Sequence, residues 1–235
     1  EWSRYTIAEC YMIMGGIPYY LSLIKPELTF ERNIDNLFFR NRSELFFEFN
    51  NLYSTLFKNS PAYIRVVEVL STRISGFGRA EISQKTKLPN NGALSTILNN
   101  LEYSGFIRIM RKFGNKKKET VYQLADYYTA FYFRFLRDNF GKDEHFWSNS
   151  IDNPMRASWA GLTFEQLCLD HIGQIRKKLG ISGVLSEISA WRTGGDEYHD
   201  GAQVDLLIDR RDQVINICEI KFSRSEYIID KKYNM

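Results

Sequence analysis

Two acidic residues and a lysine lie in a pair of apolar runs near the end of the chain. Asp205 lies in the run 202–209, and Glu219 and Lys221 lie in the run 214–222, beyond a short polar stretch. Apolar runs separated in this way predict a β-hairpin. Because Glu219 and Lys221 are two positions apart, they would share one face of a strand, roughly 6–7 Å from each other. A carboxylate and an ammonium opposite a second carboxylate form a combination that metal-assisted phosphodiester chemistry uses.

The length of the hairpin loop decides whether this combination forms, because a slip of one residue moves every side chain to the other face. A two-residue loop at 211–212 would put Asp205 opposite Cys218, on the wrong face. A three-residue loop at 211–213, or an added bulge, would put Asp205 opposite Glu219. No Asn-Gly or Asp-Gly pair at this place demands the two-residue turn. The three-residue loop is therefore permitted, and the catalytic interpretation requires it.

Composition limits the class of protein. A chain of 235 residues, 44% hydrophobic and 25% charged, is long enough for one large or two small globular domains, and a net charge of +3 does not by itself predict nucleic-acid binding. Three scattered cysteines without C-x-x-C spacing favour a reducing compartment over a disulfide framework or a zinc site. No apolar run approaches the roughly 18 residues of a membrane span, and no signal-peptide pattern begins the chain. We therefore expect a cytoplasmic protein without a membrane partner.

Residues 1–60 are predicted to be helical, and residues 61–125 have a different order of predicted elements. There the pattern is helix, helix, turn, helix, and then a basic hairpin with strands at 106–112 and 120–124. The third helix ends at Gly105, in the position that glycine favours after a helix. Its apolar face comprises Leu94, Ile97, Leu98 and Leu101. This order of elements resembles the winged helix-turn-helix family.

The charge of this hairpin is the argument for a DNA partner. Lysine and arginine contacts to phosphates give salt-dependent, sequence-independent affinity, and Asn, Ser and Thr on the third helix can contact base edges. The predicted phosphate contacts are Arg108, Arg111, Lys112, Lys116, Lys117 and Lys118, and the predicted base contacts are Ser95, Thr96, Asn99 and Asn100. In the alternative interpretation, the lysines keep a hairpin tip soluble and the winged helix contacts other proteins.

An aromatic helix and a linker occupy residues 126–155, and we place a domain boundary near Asn153. A further helix is predicted at 163–179, because Thr163 and Gln166 form a capping-box pattern at its start. Glu165 lies at the edge of the apolar face of this helix, so its carboxyl group can lean over a neighbouring sheet.

The last part of the chain resembles the core of the PD-(D/E)XK nuclease superfamily. The shared order is a helix with Glu165, a strand at 182–191, a strand with Asp205, a strand with Glu219 and Lys221, and a further helix. The resemblance covers the chain from about residue 158 to its end. It implies an α/β core with a mixed sheet, in which the last strand of the core is missing.

This resemblance also implies roles for individual residues. Asp205 and Glu219, with the main-chain carbonyl of Ile220, would hold Mg²⁺ or Mn²⁺ and leave several waters on the ion. The ion would polarise a phosphate and activate a bound water, and Lys221 would orient that water or stabilise charge on phosphorus. Glu165 would complete the metal shell. The alternative is an inactive fold, in which Glu219 and Lys221 form a surface pair worth about 0–1 kcal/mol.

Residues 14–21, with the sequence MGGIPYYL, resemble the lid helices of archaeal-type (STAND/AAA-like) P-loop ATPases of the DUF234 type. Many of those proteins continue with a winged helix and a PD-(D/E)XK-like domain. The combination implies an α+β multidomain chain with a helical lid subdomain at 1–60, a winged helix-turn-helix at 61–125, and an incomplete PD-(D/E)XK-like domain at 156–235.

The chain contains no G-x-x-x-x-G-K-[ST] motif. The resemblance therefore implies a fragment of a longer protein, with ATP bound only in an upstream domain. Two functions follow. In one, the chain binds DNA and cleaves phosphodiesters with Mg²⁺. In the other, it is a non-catalytic DNA-binding or scaffold module of an ATP-binding regulator.

Overall fold

The computed structural model describes residues 2–111, 120–139, 141–193 and 202–228. In this part of the chain the fold is α+β, with many helices and two small antiparallel sheets. Contacts divide the chain into two units. The larger unit is Cys10–Arg156, and the smaller unit combines Glu1–Glu9 with Ala157–Met235.

Helices form the first part of the larger unit. They are α1 (Arg4–Met14, whose first residues belong to the smaller unit), α2 (Pro18–Ser22), α3 (Phe30–Ile34), α4 (Glu44–Leu56) and α5 (Ser60–Ser71), with a π-helical turn at Asp35–Phe39. The break after α1 lies at Gly15, whose φ of +63° suits glycine. Pro18 then opens α2, where its missing N–H group costs nothing.

The second part of the larger unit contains the helices and the two strands predicted there from the sequence, together with a short strand at 77–78 that was not predicted. After α5 come β1 (Phe77–Gly78), α6 (Arg79–Thr86), α7 (Gly92–Tyr103), β2 (Ile107–Arg111) and β3 (Thr120–Leu124), and the strands form an antiparallel sheet in the order β1-β3-β2. The side chain of Asn91 accepts a hydrogen bond from Ala93 N at 3.0 Å and caps α7. The predicted apolar face of α7 is buried, at Leu94, Ile97, Leu98 and Leu101.

An aromatic core holds the larger unit together. The helix α8 (Tyr127–Phe131) and a π-helical turn (Tyr132–Leu136) bring buried rings against those of the earlier helices. Phe131 lies 5.2 Å from Phe38 and 5.3 Å from Trp147, measured between ring centroids in edge-to-face arrangements. Such pairs add stabilisation of about 0.5–1.5 kcal/mol each beyond burial of their area.

The smaller unit contains the rest of α9 (Pro154–Asp170, whose first turn belongs to the larger unit), α10 (Ile172–Lys178), β4 (Ser186–Thr193), β5 (Ala202–Arg210) and β6 (Ile215–Cys218). The strands form an antiparallel sheet in the order β4-β5-β6. The expected mixed sheet is therefore not seen among the described strands. Even-numbered side chains of β5, such as Leu206 and Ile208, form an apolar cluster with Ile181 and the helical residue Leu169.

The start of α9 differs from the predicted start at Thr163. The helix begins nine residues earlier, at Pro154. Proline is favoured in the first helical turn, and Asn153 Oδ1 caps the helix by accepting a hydrogen bond from Met155 N at 2.8 Å. The hydroxyl of Thr163 instead donates to Trp159 O at 2.7 Å, inside the helix. The segment interpreted as a linker thus contains a helix cap.

Candidate active site

The register of the β5–β6 hairpin is the one that the catalytic interpretation requires. Asp209 pairs with Ile215 and Leu206 with Cys218. Arg210 N donates to Val214 O at 3.0 Å, which leaves a three-residue loop at 211–213. Its last residue, Gln213, has a φ of +66°, as three-residue hairpin loops require at this position. Continued by one residue past the end of the strand, this register would put Glu219 opposite Asp205.

Glu219 and Lys221 lie just beyond the strand and not within it. Strand β6 ends at Cys218, so the prediction that both residues belong to a strand is wrong. Their side chains are nevertheless on one side of the chain, because Lys221 Nζ donates to Glu219 Oε1 in an ion pair. The predicted proximity of ammonium and carboxylate is therefore present without a regular strand.

Asp205 is the buried member of the site, with a relative exposure of 8%. Its Oδ2 accepts a hydrogen bond from Ile220 N at 2.9 Å, and its Oδ1 accepts one from Gln203 Nε2 at 3.1 Å. These bonds offset the cost of removing a carboxylate from water. The bond to Ile220 also holds the main chain between Glu219 and Lys221 beside Asp205.

Glu165 belongs to the same electrostatic neighbourhood. It lies on α9 and is half-buried, and burial raises its pKa to about 7, assisted by the negative charges of Asp205 and Glu219 and opposed by the positive charge of Lys221. Three carboxyl groups and one ammonium thus influence one another. We call Glu165, Asp205, Glu219 and Lys221 the carboxylate–lysine cluster.

The oxygen donors of this cluster fit a hard cation by their chemistry. Among the residues that the structure describes, no three His, Cys, Asp or Glu side chains are arranged as a ready metal-binding group. Glu219, however, directly follows Cys218, the last residue of β6 that pairs with β5, and Ile220 N donates to Asp205 Oδ2. Two carboxylates and a carbonyl suit Mg²⁺, because this ion takes few protein ligands and keeps several waters.

Gln203 is a site residue that the sequence interpretation missed. It lies two positions before Asp205 on β5, so the two side chains point to the same face of the sheet. That spacing was a signal available from the sequence. Only the structure shows that the Gln203 amide reaches the Asp205 carboxylate.

The four residues of α7 predicted to contact bases have different environments. Thr96 and Asn99 are exposed. Asn100 Nδ2 donates to Tyr63 OH at 2.8 Å, and Ser95 Oγ accepts a hydrogen bond from Arg79 Nη1 at 2.8 Å. Ser95 and Asn100 are therefore tied to neighbouring helices. The Thr96 hydroxyl donates to Gly92 O at 3.1 Å within α7 and keeps its capacity to accept a hydrogen bond, so Thr96 and Asn99 are the better-placed pair for an external partner.

Tyr103 extends this exposed side of α7. With a relative exposure of 95%, it follows Thr96 and Asn99 at helical spacing, so the three side chains share one face. We call Thr96, Asn99 and Tyr103 the α7 stripe. The stripe is uncharged and combines a hydroxyl, an amide and a phenol, and the sequence interpretation had not included Tyr103.

The predicted phosphate contacts are only partly described. Arg108 is half-buried in β2, and Nε and Nη2 of its guanidinium group are buried, which does not favour a phosphate contact there. Arg111 ends that strand. The side chain of Arg111 lies outside the described part of the structure. The remaining predicted contacts, Lys112, Lys116, Lys117 and Lys118, also lie outside the described residues.

Comparison with known proteins gives one similarity. The chain is 24% identical over 222 residues to "Uncharacterized protein MJECL04" of Methanocaldococcus jannaschii, and the match covers 92% of this chain and 48% of that protein. The chain thus spans about half the length of this relative. No protein-family model and no solved structure matches the chain. In the described part of the chain, none of the helices has the length and apolar character needed to cross a membrane.

Proposed function

We propose that the chain binds DNA through the larger unit and cleaves phosphodiesters at the carboxylate–lysine cluster of the smaller unit, with a site of the PD-(D/E)XK nuclease type. The hairpin register carries this proposal. Continued by one residue past its last pair, Leu206 with Cys218, it would put Glu219 opposite Asp205, and the bond from Ile220 N to Asp205 keeps the main chain between Glu219 and Lys221 beside the buried carboxylate. A loop one residue shorter would have turned Glu219 and Lys221 to the face of the hairpin away from Asp205.

Each residue of the cluster has a distinct task in this proposal. Asp205, Glu219 and the Ile220 carbonyl hold a Mg²⁺ or Mn²⁺ ion, which supplies Lewis-acid activation of the phosphate and of a water. Lys221 neutralises the negative charge that develops on the phosphoryl oxygens, and its contact with Glu219 fixes the direction of its ammonium group. Glu165 contributes a third carboxyl at the edge of the cluster.

The DNA part of the proposal is supported by the α7 stripe and by the charge of the following hairpin. An asparagine amide can pair with adenine in the major groove, and threonine can contact several base edges. The lysines at 116–118 and Arg111 provide positive charge for phosphates. The order α5, β1, α6, α7, β2, β3 is the order expected of a winged helix-turn-helix.

The test is cleavage of single-stranded and supercoiled DNA by the complete chain with Mg²⁺, Mn²⁺ or a chelator. Asp205→Asn keeps an oxygen that can accept the bond from Ile220 N, and Lys221→Ala removes the ammonium. We expect metal-dependent cleavage that falls about 100-fold or more in both variants. Asp209→Asn, a partly buried change on the same strand, is the matched control and should cleave normally. Cleavage that survives chelation and both substitutions would overturn the catalytic proposal.

The hydrogen bonds and the ion pair within the carboxylate–lysine cluster favour a second function. Lys221 is paired with Glu219, and both oxygens of Asp205 accept hydrogen bonds. These polar contacts form without an ion, which suits a non-catalytic DNA-binding or scaffold module with an inactive nuclease-like fold. DNA binding without cleavage in the same experiment would establish this function in place of the first.

A further inference from the structure

We propose that Gln203 is a positioning residue whose amide holds the Asp205 carboxylate in the orientation that binds a divalent cation. The inference rests on the proposed metal site of the carboxylate–lysine cluster. Glu219 and Lys221, which form an E-x-K pattern, indicated that site. Gln203 lies outside this pattern, and its role is inferred from its contact with Asp205.

The two oxygens of Asp205 have two different partners. Ile220 N donates to Oδ2 at 2.9 Å, and Gln203 Nε2 donates to Oδ1 at 3.1 Å. One donor alone would leave the carboxylate free to rotate about its last torsion, which is broad for aspartate. Two donors from different parts of the chain, a strand side chain and the main chain beyond β6, define its plane.

The chemistry of glutamine suits this role. Only the nitrogen of its amide can donate to a carboxylate, so the amide is oriented by Asp205 and in turn orients it. The amide is neutral and leaves the negative charge of Asp205 available to a cation. A lysine here would compete with the cation, and a glutamate would repel Asp205.

The different burial of the two residues explains why replacing Gln203 should lower the affinity for metal and leave the stability of the fold almost unchanged. Asp205 is buried, whereas Gln203 is exposed. Replacing an exposed side chain that contributes no core area changes stability little. Partners that orient a metal ligand without touching the metal nevertheless contribute about 10–100-fold to metal affinity.

The experiment measures Mn²⁺ binding to the complete chain by titration, with Mn²⁺ alone as the probe, for Gln203→Leu. We expect the dissociation constant to rise about 10-fold or more in this variant. Gln84→Leu is the matched control, since it makes the same change at an exposed glutamine of α6 in the larger unit. It should bind Mn²⁺ as the unaltered chain does.

A second measurement separates positioning from general damage. Circular dichroism should show the same thermal midpoint of unfolding for the unaltered chain and for Gln203→Leu. Raising the Mn²⁺ concentration should restore cleavage of DNA by Gln203→Leu. If Gln203→Leu loses its fold, Gln203→Asn serves instead, because it withdraws the amide by one methylene and should show the same loss of affinity.

The outcomes distinguish this inference from the proposed function. Equal Mn²⁺ affinity of the unaltered chain and the Gln203 variants overturns the positioning role and leaves the metal site standing. Absence of Mn²⁺ binding by the unaltered chain overturns the metal site and the positioning role together.

Discussion

Glu165 shows how burial changes the chemistry of one carboxyl group. The side chain is half-buried on α9, and desolvation is the largest cause of its raised pKa, about 7, with Asp205 as the next cause. The group has an ordinary value of 4.5 when exposed. Between these two values the folded chain binds more protons than the unfolded chain, so folding stability must depend on pH.

We predict the sign of this dependence. The stabilising contribution of protonated Glu165 is complete below about pH 4.5 and is lost as the pH rises through about 7. In a buffer that contains a chelator, the free energy of unfolding of the unaltered chain should therefore fall between pH 5 and pH 8. The fall should be smaller in Glu165→Gln, because its side chain is always neutral. Denaturant titrations at the two pH values measure this difference. Asp170→Asn, an exposed change at the end of α9, is the control, and equal slopes for Glu165→Gln and the unaltered chain would contradict the prediction.

At the scale of elements, the small β1-β3-β2 sheet depends on the close approach of the main chain at Gly76 to strand β3. This residue precedes β1 and has a φ of +77°. A Cβ atom there would lie 2.3 Å from the carbonyl oxygen of Tyr122 and 2.8 Å from Val121 Cγ1, both on β3. Only glycine permits the turn that brings β1 against β3, and this turn lies directly before α6 and α7.

Gly76→Ala should therefore destabilise the larger unit strongly. The matched control is Gly105→Ala, because Gly105 has nearly the same φ, +78°, but no atom within 4 Å of the added Cβ. We expect a loss of about 1 kcal/mol from the backbone conformation in Gly105→Ala. The overpacking in Gly76→Ala should add about 2 kcal/mol. Urea denaturation followed by circular dichroism compares the two variants, and losses of equal size would show that the sheet relaxes around the methyl group.

At the scale of the whole molecule, the proposed functions belong to two different units. The α7 stripe and the basic hairpin lie within Cys10–Arg156, and the carboxylate–lysine cluster lies within the smaller unit. The net charge of the chain is only +3. Affinity for DNA should accordingly come from the local charge of the hairpin and not from the overall charge, which the salt dependence of binding can measure.

The prediction concerns the triple change Lys116→Ala, Lys117→Ala and Lys118→Ala. DNA affinity should fall, and the slope of log affinity against log salt should lose roughly 0.9 for each phosphate contact removed. The double change Lys177→Ala and Lys178→Ala, at exposed positions of α10, is the control for loss of positive charge elsewhere. Fluorescence anisotropy with one duplex at several salt concentrations gives both slopes. An unchanged slope in the triple variant would remove the hairpin from the DNA surface.

Local chemistry was sufficient to predict several elements. The helix α7 ends before Gly105, as predicted, and buries the predicted apolar face. These features depend on neighbours within one or two helical turns, so the sequence contains their causes. The start of α9 was wrong because Thr163 and Gln166 match a capping box equally well inside a helix. The Asn153 cap and Pro154 were also visible in the sequence and had been interpreted as part of a linker.

By itself the sequence determined the residue types of the site and their order: an acid on a helix, an acid on a strand, and the Glu219–Lys221 pair after a hairpin. The tertiary structure decided which loop joins the strands, that β6 ends before Glu219, and that Gln203 and Ile220 N both bind Asp205. It also separated Thr96 and Asn99 from Ser95 and Asn100, whose partners Arg79 and Tyr63 lie on other helices. The physical reason is that loop conformation and side-chain hydrogen bonds depend on groups brought together by folding, and spacing along the chain does not specify them.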